Sequence, residues 1–263
     1  GGGRIRRIWR RRRIRWRRRG RELVTMAKMT LEQLVEQLRK AFGSDLHAVV
    51  LFGSAVAGEH IAKRSDYNIL VVADRLDVEL LGREGAIARA WAEAGHPPPL
   101  TMTLAEWRAS SDVFPMEYAD VLEHHRVLYG TLSTEGITVD PRNLRLQLEH
   151  EVLGKLLRLR AGIMTAGGDS SRLIELMAAS LSTYMVIFRG LLRLLGEAPP
   201  TDYEALTRQV AQRSGMAPEP FLRVINHVRG AQKIAPADAK SAIADYHAGA
   251  RQLVEYVDRL GEK

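Results

Sequence analysis

Residues 51–72, "LFGSAVAGEHIAKRSDYNILVV", form the segment of the chain that is most informative about its fold. It contains two apolar segments, separated by a Gly-Ser pair and by the tripeptide Asp66-Tyr67-Asn68, which we call the acidic step. The first segment completes "LHAVVLF" (46–52), and the second opens "YNILVVAD" (67–74). Both segments are short and too apolar to have a face in water, which predicts two buried strands.

The Gly-Ser pair that ends the first segment is a candidate phosphate site. Gly53 lets the backbone approach a ligand closely, and Ser54 adds a hydroxyl and a backbone N–H. A short helix over the following "AVAGEH" would direct free N–H groups at a nearby anion. Taken alone, however, a Gly-Ser pair after a strand is usually only a turn.

The acidic step opens the second predicted strand. Asp66 and Asn68 are two residues apart, so on a strand both side chains face the same way. Carboxylate and amide oxygens suit a hard cation, and Mg²⁺ is commonly held by one or two carboxylates together with substrate phosphates. The stretch therefore predicts a combined cation and nucleotide site.

A strand, "GS", a spacer of about a dozen residues and an "SDxD"-like step (here "SDYN", 65–68) resemble the DNA polymerase beta-like nucleotidyltransferase superfamily. The resemblance covers roughly residues 46–74 and is stronger to small bacterial and aminoglycoside nucleotidyltransferases, which carry a C-terminal helical domain. It implies a nucleoside triphosphate substrate held by Gly53 and Ser54. It also implies Mg²⁺ (or Mn²⁺) at Asp66, Asn68 and a third ligand, with nucleotidyl transfer to a hydroxyl of a small molecule or a protein.

The third ligand that the resemblance implies is Glu117, in "FPMEYAD" (114–120). A strand at this position would run beside residues 67–72, and Glu117 would also be the general base. Asp120 is the competing choice. On a regular strand Glu117 and Asp120 face opposite sides, so only one of them belongs to the site.

The sequence departs from the family pattern at two points. Asn68 is neutral where a second carboxylate is expected, which leaves a pair of divalent ions with too little compensating charge. The turn "GSAVAG" lacks the Arg that family members often carry, and Lys63 or Arg64 could supply that charge to the phosphates. The alternative hypothesis is therefore a non-catalytic nucleotide-binding or protein-interaction module.

The rest of the chain predicts two domains. Residues 26–135 read as an α/β (α+β) nucleotidyltransferase-like mixed-sheet domain, with Thr30 and Gln33 as a capping box, a helix over 77–95, a short strand "LTMT" and one or two strands in 114–130. Residues 141–263 read as an all-α helical bundle. Its predicted helices cover 142–164, 170–197, 202–215, 220–230 and 237–260. The apolar rows within 170–195 are either core or the seam of a homodimer formed through this domain.

Composition limits the class of protein. Of the 263 residues, 46% are hydrophobic, enough for a sizeable core. No uninterrupted apolar run approaches about 18 residues, so no membrane span is expected. The chain has no Cys, which excludes disulfides and thiolate metal sites and suits a cytoplasmic protein.

The formal net charge of +8 comes from an N-terminal arm. Residues 1–25 hold 12 Arg and one Glu, which leaves 27 of the 39 Lys and Arg and 30 of the 31 Asp and Glu in the other 238 residues. The arm could bind nucleic acid or anionic lipid, and it lacks the apolar core of a secretory signal. The favoured interpretation is an upstream extension before Met26, disordered in character, so nucleic acid is expected as a partner only if the arm is part of the natural protein.

Overall fold

The computed structural model describes residues 28–56 and 67–260. The arm, Lys63, Arg64 and Asp66 lie outside the described residues. The N-terminal domain consists of α1 (Leu31–Phe42), β1 (Leu46–Phe52), β2 (Asn68–Ala73), α2 (Val78–Glu93), β3 (Leu100–Thr103), α3 (Leu104–Ala109), α4 (Pro115–Glu123) and β4 (His125–Gly130). The C-terminal domain consists of α5 (Pro141–Ala166), α6 (Ser170–Leu194), α7 (Tyr203–Ser214), α8 (Glu219–Arg229) and α9 (Ala239–Arg259).

The four strands form one mixed sheet in the order β3-β2-β1-β4. β1 is antiparallel to both β2 and β4, whereas β2 and β3 are parallel. α1 and α2 cover one face, where Leu34 and Trp91 join the core. α3 and α4 cover the other face through Trp107 and Tyr118. A sheet buried on both faces explains why its central strands are continuous apolar runs.

Local capping places the start of α1 as the sequence predicts. The Thr30 hydroxyl accepts a hydrogen bond from the Gln33 backbone N–H, and the Gln33 side chain accepts one from the Thr30 N–H. A second capping box, formed by Thr103 and Glu106, starts α3 directly after β3. α3 was not predicted from the sequence.

The segment 114–130 corrects one prediction. Residues 115–123, which include Glu117, form a helix rather than a strand, and β4 pairs with β1 instead of running beside 67–72. Pro115 occupies the first turn of α4, where its missing N–H is harmless. The helix is buried from two sides, because Met116 enters the bundle core while Tyr118 packs on the sheet. Apolar residues on both sides obscure the helical period in the sequence.

α6 is the central helix of the bundle and packs against α5, α7, α8 and α9. By length and composition alone, it is the one helix among the described residues that could cross a membrane. An 18-residue segment of it has a mean hydropathy of 1.3, but 56% of that segment is buried inside the protein. Its apolar side chains, such as Tyr184, Phe188 and Leu191, are fully buried in the bundle. The apolar rows of 170–195 therefore contribute to the core of the bundle.

α4 joins the two domains. Beside the apolar contact of Met116, Arg193 of α6 donates hydrogen bonds to the carboxylates of Asp120 (2.7 Å) and Glu123 (2.7 and 2.9 Å). The Arg193 side chain is only 8% exposed, so this contact is largely desolvated. Any group on α4 is consequently held close to the helical domain.

Candidate functional site

The turn after β1 meets the beginning of β2. Gly53 has φ = +78°, a conformation that favours glycine, and the Val56 N–H donates to its carbonyl oxygen at 3.0 Å. A Cβ atom at Gly53 would lie 3.1 Å from Nδ2 of Asn68. The contact arises because Phe52 and Asn68 are paired in the antiparallel register of β1 and β2. The structure therefore brings Gly53 and Asn68 close together.

The side chain of Asn68 is directed to one defined face of the sheet. It alternates with Ile69 and shares its face with Leu70, which packs in the core covered by α3 and α4. Asn68 is half-buried. Ser54 lies within the single turn of 3₁₀-helix at Gly53–Ala55. The remaining predicted ligands on this side, Lys63, Arg64 and Asp66, fall in the stretch 57–66, which the structure does not describe.

The rings of Tyr67, Trp91 and His96 pack together at the beginning of β2. The Tyr67 backbone N–H donates to Nδ1 of His96 at 3.3 Å. The ring of Trp91 lies 4.2 Å from that of His96 and 6.1 Å from that of Tyr67, measured between centroids. The cluster ties the residue before Asn68 to the end of α2. Sequence reasoning missed it, because its members come from separate elements with no shared pattern.

Glu117 lies where α4 faces α5. Nε2 of Gln147 donates to the Glu117 carboxylate at 2.9 Å, and Oε1 of Gln147 accepts from the Met116 N–H at 2.8 Å. Burial raises the pKa of Glu117, and the nearby carboxylates of Asp120 and Glu151 raise it further, against the lowering effect of the Gln147 hydrogen bond. A carboxyl group whose pKa is moved towards neutrality is suited to proton transfer.

Asp120, the competing choice for the third ligand, has a different partner from Glu117. On a helix, residues three apart lie on neighbouring parts of one face, so the alternation argued for a strand does not separate Asp120 from Glu117. Asp120 is 8% exposed and forms the buried ion pair with Arg193. Its charge is thus engaged in joining the domains, whereas Glu117 accepts a hydrogen bond from a neutral amide.

A pair of divalent cations does not fit the donors that the structure describes. Asn68 contributes a neutral amide, and β3, the strand beside β2, carries Thr101 and Thr103 rather than a carboxylate. Within residues 28–56 and 67–260, no three Asp, Glu or His side chains are grouped as a metal site. A single cation carried by a phosphate ligand needs fewer protein donors.

A row of polar side chains extends from Glu117 along α5. Gln147, Glu151 and Lys155 follow one another at four-residue spacing, and Lys155 Nζ donates to Oγ1 of Thr183 on α6 at 3.0 Å. Burial lowers the pKa of Lys155, and the charge of a neighbouring Arg lowers it further, while Glu151 opposes this. The row provides donors and acceptors next to a half-buried carboxyl group.

Comparisons with known proteins support the fold. No family model matches the chain, and no curated protein matches it. Among solved structures, the chain is similar to spectinomycin adenyltransferase AAD(9) from Enterococcus faecialis, which was solved with ATP and spectinomycin. The TM-score is 0.53 at 13% sequence identity, over 84% of this chain and 97% of that one.

This similarity defines the class of fold. A match at 13% identity carries the fold alone, but it extends over most of both domains. The protein therefore has a nucleotidyltransferase-like fold, a mixed-sheet domain followed by a helical domain. The fold expected from residues 46–74 is confirmed.

Proposed function

We propose that the protein binds a nucleoside triphosphate at the Gly53–Ser54 turn and transfers its nucleotidyl group to a hydroxyl of a small molecule. The observation that carries the proposal is the contact of Gly53 with Asn68, located at the β1–β2 end of a fold similar to an adenyltransferase solved with ATP. A glycine turn after a buried strand lets phosphate oxygens approach backbone N–H groups closely.

The nucleotide site combines described and undescribed residues. Ser54 would donate from its hydroxyl and backbone N–H, while Lys63 and Arg64 would neutralise the outer phosphates. Asp66 and Asn68 would present one carboxylate and one amide oxygen to a single Mg²⁺ or Mn²⁺ that arrives with the triphosphate. This cation would offset the negative charge of the phosphates.

The acceptor would lie between α4 and α5. Glu117 would accept the proton of the acceptor hydroxyl while the oxygen of that hydroxyl forms a bond to the α-phosphorus. The bond from that phosphorus to the bridging oxygen then breaks, and pyrophosphate leaves. Glu117 and Glu151 make the row on α5 suitable for a polar acceptor with amino and hydroxyl groups, such as an aminoglycoside. A protein hydroxyl is the other acceptor to be tested.

A second function is favoured by a specific observation. Asn68 and the Thr-bearing β3 leave the described site short of carboxylates. Binding a triphosphate does not need a second carboxylate, whereas activating a hydroxyl with a pair of metal ions does. The second candidate is therefore a nucleotide-binding module without turnover.

The experiment uses the full chain, each α-labelled nucleoside triphosphate, Mg²⁺ or Mn²⁺, and a panel of aminoglycosides and spectinomycin. We expect label transfer and pyrophosphate release that disappear in Asp66→Ala. We expect Glu117→Gln to lower kcat by about 10²-fold or more with unchanged nucleotide affinity, which is the loss typical of a missing general base. Glu135→Gln, an exposed loop carboxylate, is the matched control and should behave as wild type.

The outcomes separate the two functions. Nucleotide binding that depends on Asp66, with no transfer to any acceptor, would support the non-catalytic module. No binding of any nucleotide would refute both. Asn68→Asp then tests the site itself: a restored carboxylate should raise metal-dependent transfer, and a variant unchanged in both binding and turnover would show that Asn68 lies outside the site.

A further inference from the structure

α5 carries an exposed apolar stripe. Ten large apolar side chains are exposed among the described residues, and four of them lie on this one helix. They are Leu146 (57% exposed), Leu153 (44%), Leu157 (52%) and Met164 (75%), and we refer to them as the α5 stripe. Their spacings of seven, four and seven residues place all four within about 20° of one line along the helix. The other exposed apolar residues belong to several elements of the N-terminal domain.

The spacing of the α5 stripe is symmetric about position 155. Leu146 and Met164 lie nine residues either side of it, and Leu153 and Leu157 lie two residues either side. An interface between two identical chains related by a two-fold axis must be self-complementary. An antiparallel second copy would place Leu146 level with Met164 and Leu153 level with Leu157. We propose that the α5 stripe is the interface of a homodimer in which two α5 helices pack antiparallel.

Charges beside the stripe agree with this arrangement. On the helix surface, Glu149 and Arg160 lie on the same flank of the stripe. Within one chain, Glu149 accepts a hydrogen bond from Arg145 at 2.8 Å, and Nε of Arg160 donates to His247 at 3.3 Å, both on partly exposed surface. A two-fold axis perpendicular to the helices brings identical flanks together, so Glu149 would face Arg160 of the second copy, twice in each dimer. In a parallel, in-register pair these two residues would stand about 16 Å apart along the axis. Electrostatic complementarity thus favours the antiparallel pairing.

The size of the stripe sets the expected strength. From residue 146 to residue 164 the stripe is about 27 Å long. A seam of one helix pair is at the small end of specific interfaces, which bury about 800 Å² per partner at standard size. Since association also costs rotational and translational freedom, we expect a dissociation constant in the micromolar range.

The first test is sedimentation of the full chain from about 1 to 200 μM, the range that brackets a micromolar dissociation constant. We expect the mass to rise from 29.4 kDa towards twice that value. Leu153→Glu should raise the dissociation constant by about 100-fold, because it places two charges in the seam. Leu81→Glu on α2 is the matched control, since Leu81 is 45% exposed, and it should not change dimerisation. A monomer at every concentration would overturn the proposal.

The second test fixes the register and does not depend on a charged substitution. The chain has no Cys, so single cysteines report one contact each. A mixture of Leu146→Cys and Met164→Cys proteins should form an intermolecular disulfide that neither protein forms alone. Disulfides within Leu146→Cys alone would refute the antiparallel register. Glu149→Arg and Arg160→Glu should each weaken the dimer, and a mixture of the two variants should restore it. If neither variant changes dimerisation, the proposed charge pairing is contradicted.

Discussion

Removing the charge of Asp120 from its buried contact with Arg193 should destabilise the fold strongly, and Asp120→Asn tests this. The two side chains are 8% and 11% exposed and 2.7 Å apart. Removing one partner of a buried pair costs about 3–5 kcal/mol. Here the new amide can still accept a hydrogen bond, and Glu123 still contacts the guanidinium at 2.7 Å. We therefore expect Asp120→Asn to lower the free energy of unfolding by about 2–3 kcal/mol.

Glu123 and Glu36 provide graded controls for the same measurement. The side chain of Glu123 is 37% exposed, so water screens its attraction to Arg193, and Glu123→Gln should cost about 1 kcal/mol or less. Glu36 pairs with Lys40 on the surface, with side chains 64% and 73% exposed, so Glu36→Gln should cost close to nothing.

The assay is urea denaturation followed by far-UV circular dichroism, with thermal unfolding in parallel. A loss of 2–3 kcal/mol corresponds to a fall in Tm of about 5–10 °C for a chain of this size. Because the pair joins α4 to α6, its loss should also let the two domains unfold at different urea concentrations, which lowers the apparent m-value. If Asp120→Asn loses no more stability than Glu123→Gln, the reasoning from burial is refuted.

Two further predictions concern the N-terminal domain. Gly130 and Gly136 have similar φ values of +70° and +75°, but a Cβ at Gly130 would lie within van der Waals overlap of the His47 carbonyl oxygen, whereas at Gly136 it would meet nothing. Urea midpoints should show a loss of about 1–2 kcal/mol for Gly136→Ala and clearly more for Gly130→Ala; equal losses would contradict the contact. Burial raises the pKa of Glu84 above 4.5, although the Thr101 hydroxyl donates to it at 2.5 Å. As pH rises, the folded state therefore keeps the Glu84 proton longer than the unfolded state does. The stability that this protonated carboxyl contributes is lost as pH rises from about 4.5 through the raised pKa. Glu84→Gln should therefore lose less stability than wild type between pH 4 and pH 7.

Elements with a simple burial pattern could be predicted from the sequence. β1 (46–52) and β3 (100–103) have the predicted limits, and β2 lies within the predicted 67–74. The five bundle helices are also confirmed, within a few residues at their ends. In these elements one physical requirement dominates: a strand buried on both faces or a helix with one apolar side.

α4 could not be predicted because two cores share it. Its apolar residues face both the sheet and the bundle, so neither a period of two nor one of 3.6 is visible in the sequence. Pro115 was the available signal, since proline favours the first turn of a helix. α3 was missed although its capping box, Thr103 and Glu106, can be read directly from "TLAE".

The candidate site was predictable only where strand pairing brings it together. Gly53 directly follows β1 and Asn68 begins the neighbouring strand β2, so the two residues lie close together. Both strands are indicated by the sequence. The surroundings of Glu117 depend on Gln147, 30 residues further along the chain, and the partner of Asp120 is 73 residues away. No local pattern encodes such contacts, because they follow from how the two domains pack.

The contact between Asn68 and Gly53 connects the two proposed functions. A carboxylate at position 68 would face the phosphates of a bound nucleotide and would need a cation to offset the repulsion. In the proposed site the neutral amide of Asn68 would avoid that repulsion, and its Nδ2 atom, which lies against the turn, would donate a hydrogen bond to a phosphate oxygen. Nucleotide affinity should therefore depend less on Mg²⁺ in this protein than in Asn68→Asp. Equilibrium binding of a fluorescent triphosphate with Mg²⁺ and with EDTA measures this, and an equal dependence in both proteins would mean that Asn68 does not face the phosphates.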